Sequence, residues 1–221
     1  GRAEALNYLD EEGFVVFANV LDGQQIAHAL ELMWDYLEGL STGIDREDKN
    51  TWTDEKWPTA VHGGILPSYG IGHSEMQWYL RDIDNVSKCF ASIWDTDELL
   101  TSFDGITIGR PWTYRKEWKT NLGTDWLHID QHPLGRPGRH CFQGVLNLME
   151  VTRYTGGNVM IPRSHKRFVA IPEHYEERLS RIHPSIDHFR FPKDDPLLSD
   201  TQPIVALMEP GDLMIWDSRT I

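Results

Sequence analysis

Trp126-Leu127-His128-Ile129-Asp130 is a short, mostly apolar run carrying two polar side chains two positions apart. Read as a strand, it turns His128 and Asp130 to one face and Ile129 to the other, because side chains alternate across a strand. Five further stretches read as strands: 105–110, 142–150, 158–161, 204–208 and 212–216. Gly156-Gly157 and Pro210-Gly211 supply turn signals between them. The N-terminal half has a different rhythm. Residues 3–12 read as a short helix stopped by Gly13, followed by the apolar strand Phe14-Val15-Val16-Phe17. Asp22 with Gln25 forms a capping box for a helix over 23–38, whose core face is Ile26, Leu30, Met33, Trp34 and Leu37. Ser74 with Gln77 forms a second box, and Met76, Leu80, Ile83, Val86 and Phe90 predict one helix from it. Helices first and many short strands after them predict a mainly β chain with flanking helices, built on a barrel or double-sheet jelly roll.

The 221 residues and a 40% hydrophobic content suit one folded domain spanning 1–221. A net charge of −13 argues against nucleic acid and anionic membranes as partners, since both need a basic footprint. Arg136, Arg139, Arg163, Lys166 and Arg167 are the one local basic grouping, and they read as a solvated surface with a few pocket cations. Two cysteines, Cys89 and Cys141, give no disulfide scaffold, and a reducing cytoplasmic setting is the simplest reading. No apolar run is long enough to span a membrane, and no signal peptide is visible. The chain starts Gly1-Arg2 and stops in a strand-like run at Ile221, so it reads as a fragment truncated before its last core strands. Residues 41–73 are polar and rich in Gly and Pro, which marks a functional loop and a candidate lid.

An imidazole and a carboxylate on one strand face suit Fe(II), and a third ligand from a distant strand would complete a two-His, one-carboxylate set. The alternative for His128 and Asp130 is an exposed strand end without metal. Gln131, directly after Asp130, is a candidate to orient it. His132 is a candidate for a supporting or substrate-facing role. Gln143 and Asn147 share a face of one strand, as polar residues that need partners if buried. Arg110 ends the strand before Pro111, either facing solvent or holding a carboxylate with its planar fork. Among the other histidines, His174, His183 and His188 lie in a charged insert and read as surface residues. His62 and His73 flank glycines in the long loop, and His140 closes the basic one.

The set His128-x-Asp130, the turn Gly156-Gly157-Asn158, the run Pro162-Arg163-Ser164-His165-Lys166 and the strand opened by Pro210-Gly211-Asp212 resembles the phytanoyl-CoA dioxygenase family of Fe(II)/2-oxoglutarate oxygenases. The opening Glu11-Glu12-Gly13-Phe14-Val15-Val16 is similar to the family's N-terminal unit. The resemblance implies a double-stranded β-helix (cupin-like jelly-roll) core, with iron held by His128, Asp130 and a distal His expected just after Ile221. It also implies 2-oxoglutarate as cosubstrate, with Arg110, Asn147 and Gln143 as candidate contacts, and an Arg about ten residues beyond the distal His. Dioxygen and a small organic molecule complete the set, the latter hydroxylated with release of succinate and CO2. Arg163 departs from the pattern, standing where the family usually has Gly, and His165 matches a His that is not a ligand. Two other readings stay open: a non-catalytic barrel that binds a ligand without turnover, and a site holding another divalent metal such as Zn or Ni.

Overall fold

The computed structural model describes residues 1–120, 126–183 and 185–221. In chain order its elements are α1 (Arg2–Glu12), β1 (Phe14–Phe17), α2 (Gly23–Gly39), β2 (Ile65–Leu66), α3 (Glu75–Arg81), α4 (Asp84–Trp94), β3 (Ile106–Thr107), β4 (His128–Ile129), β5 (Phe142–Leu146), β6 (Val159–Met160), α5 (Ile171–His174), α6 (Glu176–Leu179), β7 (Phe189–Arg190), β8 (Ile204–Val205) and β9 (Leu213–Asp217), with short 3-10 turns between them. Every stretch expected to be a strand contains one. Most are shorter than expected, and helical residues outnumber strand residues, so "mainly β" does not describe the chain. Among the described residues the strands form one three-stranded sheet and three two-stranded pairs, not a closed barrel.

The described residues divide into two compact units. One comprises 1–21 and 126–221. Its sheet has the order β1-β9-β5, antiparallel throughout. The middle strand explains the order: Leu213, Met214 and Ile215 are all buried, so β9 needs cover on both faces and partners on both edges. One face packs Phe14 and Met214 against Met160, Ala206 and Met208. A second core gathers Ile129, Phe189 and Phe191 with Ile161, Phe168, Ile171, Leu179 and Ile221 beneath the β4–β7 pair. Gly13 closes α1 at φ +86°, a left-handed backbone that suits Gly. A Cβ there would sit 2.5 Å from both His165 Nδ1 and Thr220 Oγ1, so space as well as conformation calls for Gly.

The other unit comprises 22–120. The first capping box forms as expected: Asp22 accepts from the backbone of Gln24 and Gln25, and its own N–H donates to Gln25 Oε1 at 3.0 Å. The second forms only by half. Ser74 accepts from Gln77 N, but the Gln77 amide donates instead to the Gly105 carbonyl at 3.0 Å. The single helix expected from Ser74 is two, α3 and α4, broken at Ile83, which has an extended backbone (φ −72°, ψ 117°). Asp82, Asp84 and Asn85 around the break compete with helix through their short polar side chains. The 41–73 segment is more ordered than its composition suggests. Trp52 is buried there with Ile44 and Trp118 and donates from its indole to the Asp45 carbonyl at 2.8 Å. No helix among the described residues is long and apolar enough to cross a membrane.

Candidate metal centre

β4 positions the two candidate ligands. Ile129 points into the core, completely buried, which commits its neighbours His128 and Asp130 to the opposite face. His128 Nδ1 lies 2.7 Å from the Trp126 carbonyl oxygen, which fixes a hydrogen on Nδ1 and leaves Nε2 as the nitrogen that faces Asp130. Trp126 also packs its ring on the imidazole, with centroids 4.6 Å apart. Nε2 comes within 3.3 Å of Asp130 Oδ1. The other carboxylate oxygen, Oδ2, accepts from the Gln143 amide at 3.1 Å. Asp130 N–H donates to the Ser218 carbonyl at 3.1 Å, tying the strand end to the residues after β9.

The electrostatics follow from these contacts. Burial opposes a charged His128, but bonds to Asp130 and to the Trp126 carbonyl outweigh it and raise the pKa. Burial likewise works against a charged Asp130. His128, Gln143 and the nearby His188 outweigh it and hold the carboxyl below its usual range. The pair is therefore an anionic oxygen and an imidazole nitrogen facing one point.

This donor set fits a divalent metal. Two donors about 2.1 Å from one ion, on adjacent corners of its coordination shell, lie close to the observed separation. The hydrogen-bonded Nδ1 and the amide-bonded Oδ2 are the outer partners such ligands usually have. Gln143 Oε1 is buried without a partner among the described residues, an acceptor open to a hydrogen from something in the site. Among the described residues no group of three or more His, Cys, Asp or Glu converges as a metal cage.

The other expected residues are placed as follows. Gln131 is buried and fully engaged as a strut. Its amide donates to the Arg136 and Gly138 carbonyls, both at 2.6 Å, and its oxygen accepts from Ser218 Oγ at 2.7 Å. His132 is buried, and its Nδ1 accepts from Leu134 N and Gly135 N, so Nε2 carries the hydrogen. That Nε2 has no partner among the described residues. Asn147 contacts Met208 Sδ and bonds its backbone to Gly211 and Asp212, not to the His128–Asp130 pair. Arg110, in the other unit, donates to the Trp52 carbonyl at 2.8 Å and to Asp54 at 2.5 Å, over the rings of Trp57 and Trp118.

The basic grouping expected on the surface is neutralised residue by residue. Arg136 pairs with Asp187, Arg139 with Asp10 and Asp217, Arg163 with Glu12, Lys166 with Glu11 and Arg167 with Asp200. The sequence reading missed β7. Phe189-Arg190 is a two-residue strand inside a charged insert, and no periodicity marks it. Its pairing sets Arg190 opposite His128.

Comparisons with known proteins give the family and the fold. A sequence model of the family described as "Phytanoyl-CoA dioxygenase (PhyH)" matches residues 9–221. "Ava biosynthesis cluster protein O" of Aspergillus versicolor is 32% identical over 216 residues, covering 95% of this chain and 68% of that protein. Among solved structures, the non-heme alpha ketoglutarate dependent carbocyclase SnoK superposes with a TM-score of 0.62 at 15% identity, over 98% of this chain and 74% of its own. The epimerase SnoN, solved with Fe3+, alpha ketoglutarate and nogalamycin RO, gives 0.58 at 12% identity, over 99% and 75%. At these identities the likeness is one of fold.

Proposed function

Since the chain belongs to the phytanoyl-CoA dioxygenase family, we propose that it is an Fe(II)- and 2-oxoglutarate-dependent oxygenase that hydroxylates a small organic substrate on a double-stranded β-helix scaffold. The observation that carries the reading is the His128–Asp130 pair. Nε2 and Oδ1 converge to 3.3 Å on the open face of β4, with each ligand's remaining polar atom already bonded. In this reading His128 and Asp130 hold the metal with a further ligand, a His in the family pattern. Iron with bound 2-oxoglutarate supplies the oxidising chemistry, in which dioxygen converts 2-oxoglutarate to succinate and CO2 and oxidises the substrate.

The chain's own residues hold and aim the ligands. Trp126 sets the His128 tautomer. Gln143 fixes Asp130 so that Oδ1 faces the metal. Gln131 and Ser218 brace the turn that follows, and His132 keeps a buried N–H without a partner among the described residues. Gln143 is the best supported of the three cosubstrate candidates, because it already bonds the metal carboxylate. Arg110 and Asn147 keep that role only through the family resemblance. Hydroxylation is likewise part of this proposal, since SnoK and SnoN are a carbocyclase and an epimerase.

Succinate release by the full-length protein under Fe(II), 2-oxoglutarate and oxygen tests the proposal. Asp130→Ala is expected to lower it by at least about 100-fold, because a first ligand outweighs the 10–100-fold typical of an outer partner. Activity surviving in Asp130→Ala would refute the ligand assignment. Metal binding by the wild type without any succinate would favour a ligand-binding protein without turnover.

A further inference from the structure

Ser218 ties the ends of β4, β5 and β9 together with its three polar groups. Its backbone N–H donates to the Cys141 carbonyl at 3.1 Å, one step beyond the Phe142–Asp217 pair of the β5–β9 register. Its carbonyl accepts the Asp130 N–H at 3.1 Å. Its hydroxyl donates to Gln131 Oε1 at 2.7 Å. The direction of that last bond is fixed. The Gln131 amide nitrogen faces the Arg136 and Gly138 carbonyls, which only accept, so the amide oxygen is left for the hydroxyl. Ser218 and Gln131 are both buried, where water does not compete for the bond.

The end of β4 needs such a tie. β4 pairs with β7 over two residues only, and Asp130 and Gln131 lie just past them. The run that follows, Pro133-Leu134-Gly135-Arg136-Pro137-Gly138, has no ladder of its own to stiffen it. What holds Asp130 is the neighbouring sheet. Ser218, at the end of β9, takes its backbone N–H, and Gln143, on β5, bonds its Oδ2 at 3.1 Å. These two holders belong to strands paired with each other, so the carboxylate is referenced to a longer ladder than its own. We propose that Ser218 is a positioning residue for the metal site: through Gln131, its hydroxyl fixes the end of β4 so that Asp130 keeps Oδ1 turned to the ion. Ser218 acts through the backbone and the Gln131 amide, not as a ligand. The inference rests on Asp130 being a ligand, and goes beyond it by assigning metal affinity to a hydroxyl on another strand.

Titration of the metal-free full-length protein with Co(II), followed by the visible absorption of the bound ion and accompanied by melting curves, tests this. Ser218→Ala is expected to weaken Co(II) binding by about 10–100-fold, the range of an outer partner, and to shift the absorption bands. Ser218→Thr keeps the donor and is expected to keep affinity and bands near those of the wild type. Leu37→Ala, a buried change in the other unit, is expected to lower the melting temperature and leave Co(II) binding as it is. If Ser218→Ala binds Co(II) with wild-type affinity and bands while Asp130→Ala loses the ion, the positioning role is refuted and the metal site stands. Equal losses in Ser218→Thr and Ser218→Ala would assign the cost to packing and refute the hydroxyl's role. A wild type that binds no Co(II), or an Asp130→Ala variant that binds it as well, refutes the metal site and this inference with it. Should Ser218→Ala not fold, Ser218→Ala combined with Gln131→Met removes both partners of the bond, leaves no amide oxygen without a donor, and is held to the same loss of at least about tenfold.

Discussion

Arg163 shows how one side chain can hold an unfavourable backbone. It sits at φ +66°, the left-handed region where the related pattern has Gly. Its backbone N–H donates to the Glu12 carbonyl at 2.8 Å, and its guanidinium binds the Glu12 carboxylate at 2.7 Å. The turn is thus anchored twice to the end of α1. Arg163→Ala keeps the strained conformation and loses the ion pair, whereas Arg163→Gly removes the strain. We expect Arg163→Gly to melt higher than Arg163→Ala by roughly 2–4 °C. Thermal denaturation checks this, and equal melting temperatures would mean that the turn relaxes without a left-handed residue. Gly13 is the converse case, a position where no side chain fits between His165 and Thr220.

Element by element, legibility tracked how local the cause was. Asp22 and Gln25 lie three apart, and their box is visible in the string and present in the fold. Gln77 looked equivalent, but a carbonyl at Gly105, far along the chain, took its amide. His128 and Asp130 could be set on one face by alternation alone. That Arg190 joins them depends on a strand partner chosen by core packing at Ile129 and Phe189, which no short pattern announces. The same holds for β9, which read plainly as a strand but not as the centre of its sheet. That central position carries a measurable consequence. Met214 is completely buried between β1 and β5, so Met214→Ala is expected to cost about 2–5 kcal/mol in chemical denaturation. Leu207→Ala, at an exposed position, is expected to change stability by under about 0.5 kcal/mol. Equal costs would show that β9 is not the core strand.

At the scale of the whole molecule, a net charge of −13 coexists with carboxylates that stabilise the fold. Asp217 is buried at the end of β9, bonded by Arg219 at 2.8 Å and 2.5 Å and by Arg139 at 3.1 Å. Arg139 reaches on to Asp10 in α1 at 2.6 Å. Burial alone would raise the Asp217 pKa, but the two guanidinium groups and the Arg219 backbone N–H outweigh it and lower it. A depressed carboxyl binds fewer protons in the folded state than in the unfolded chain, so it contributes stability above about pH 3.9 and loses it as pH falls through its own folded pKa. Asp217→Asn is therefore expected to cost about 3 kcal/mol at neutral pH, moderated because Arg139 is partly exposed. The gap between variant and wild type should close as acid protonates Asp217. Denaturation curves across pH test this, and a gap independent of pH would assign the cost to packing.

The pairing of β1 with β9 also bears on how the protein is made. Gly13 accepts the Thr220 hydroxyl from 207 positions away, and the strand beginning at Phe14 has β9 as its partner. A ribosome releases Phe14-Val15-Val16-Phe17 long before Leu213 exists. Until then this apolar strand has no edge to join, and loop closure over that distance is slow. The nascent chain thus carries a sticky segment through most of its synthesis, which makes it a natural client for chaperones that hold exposed strands.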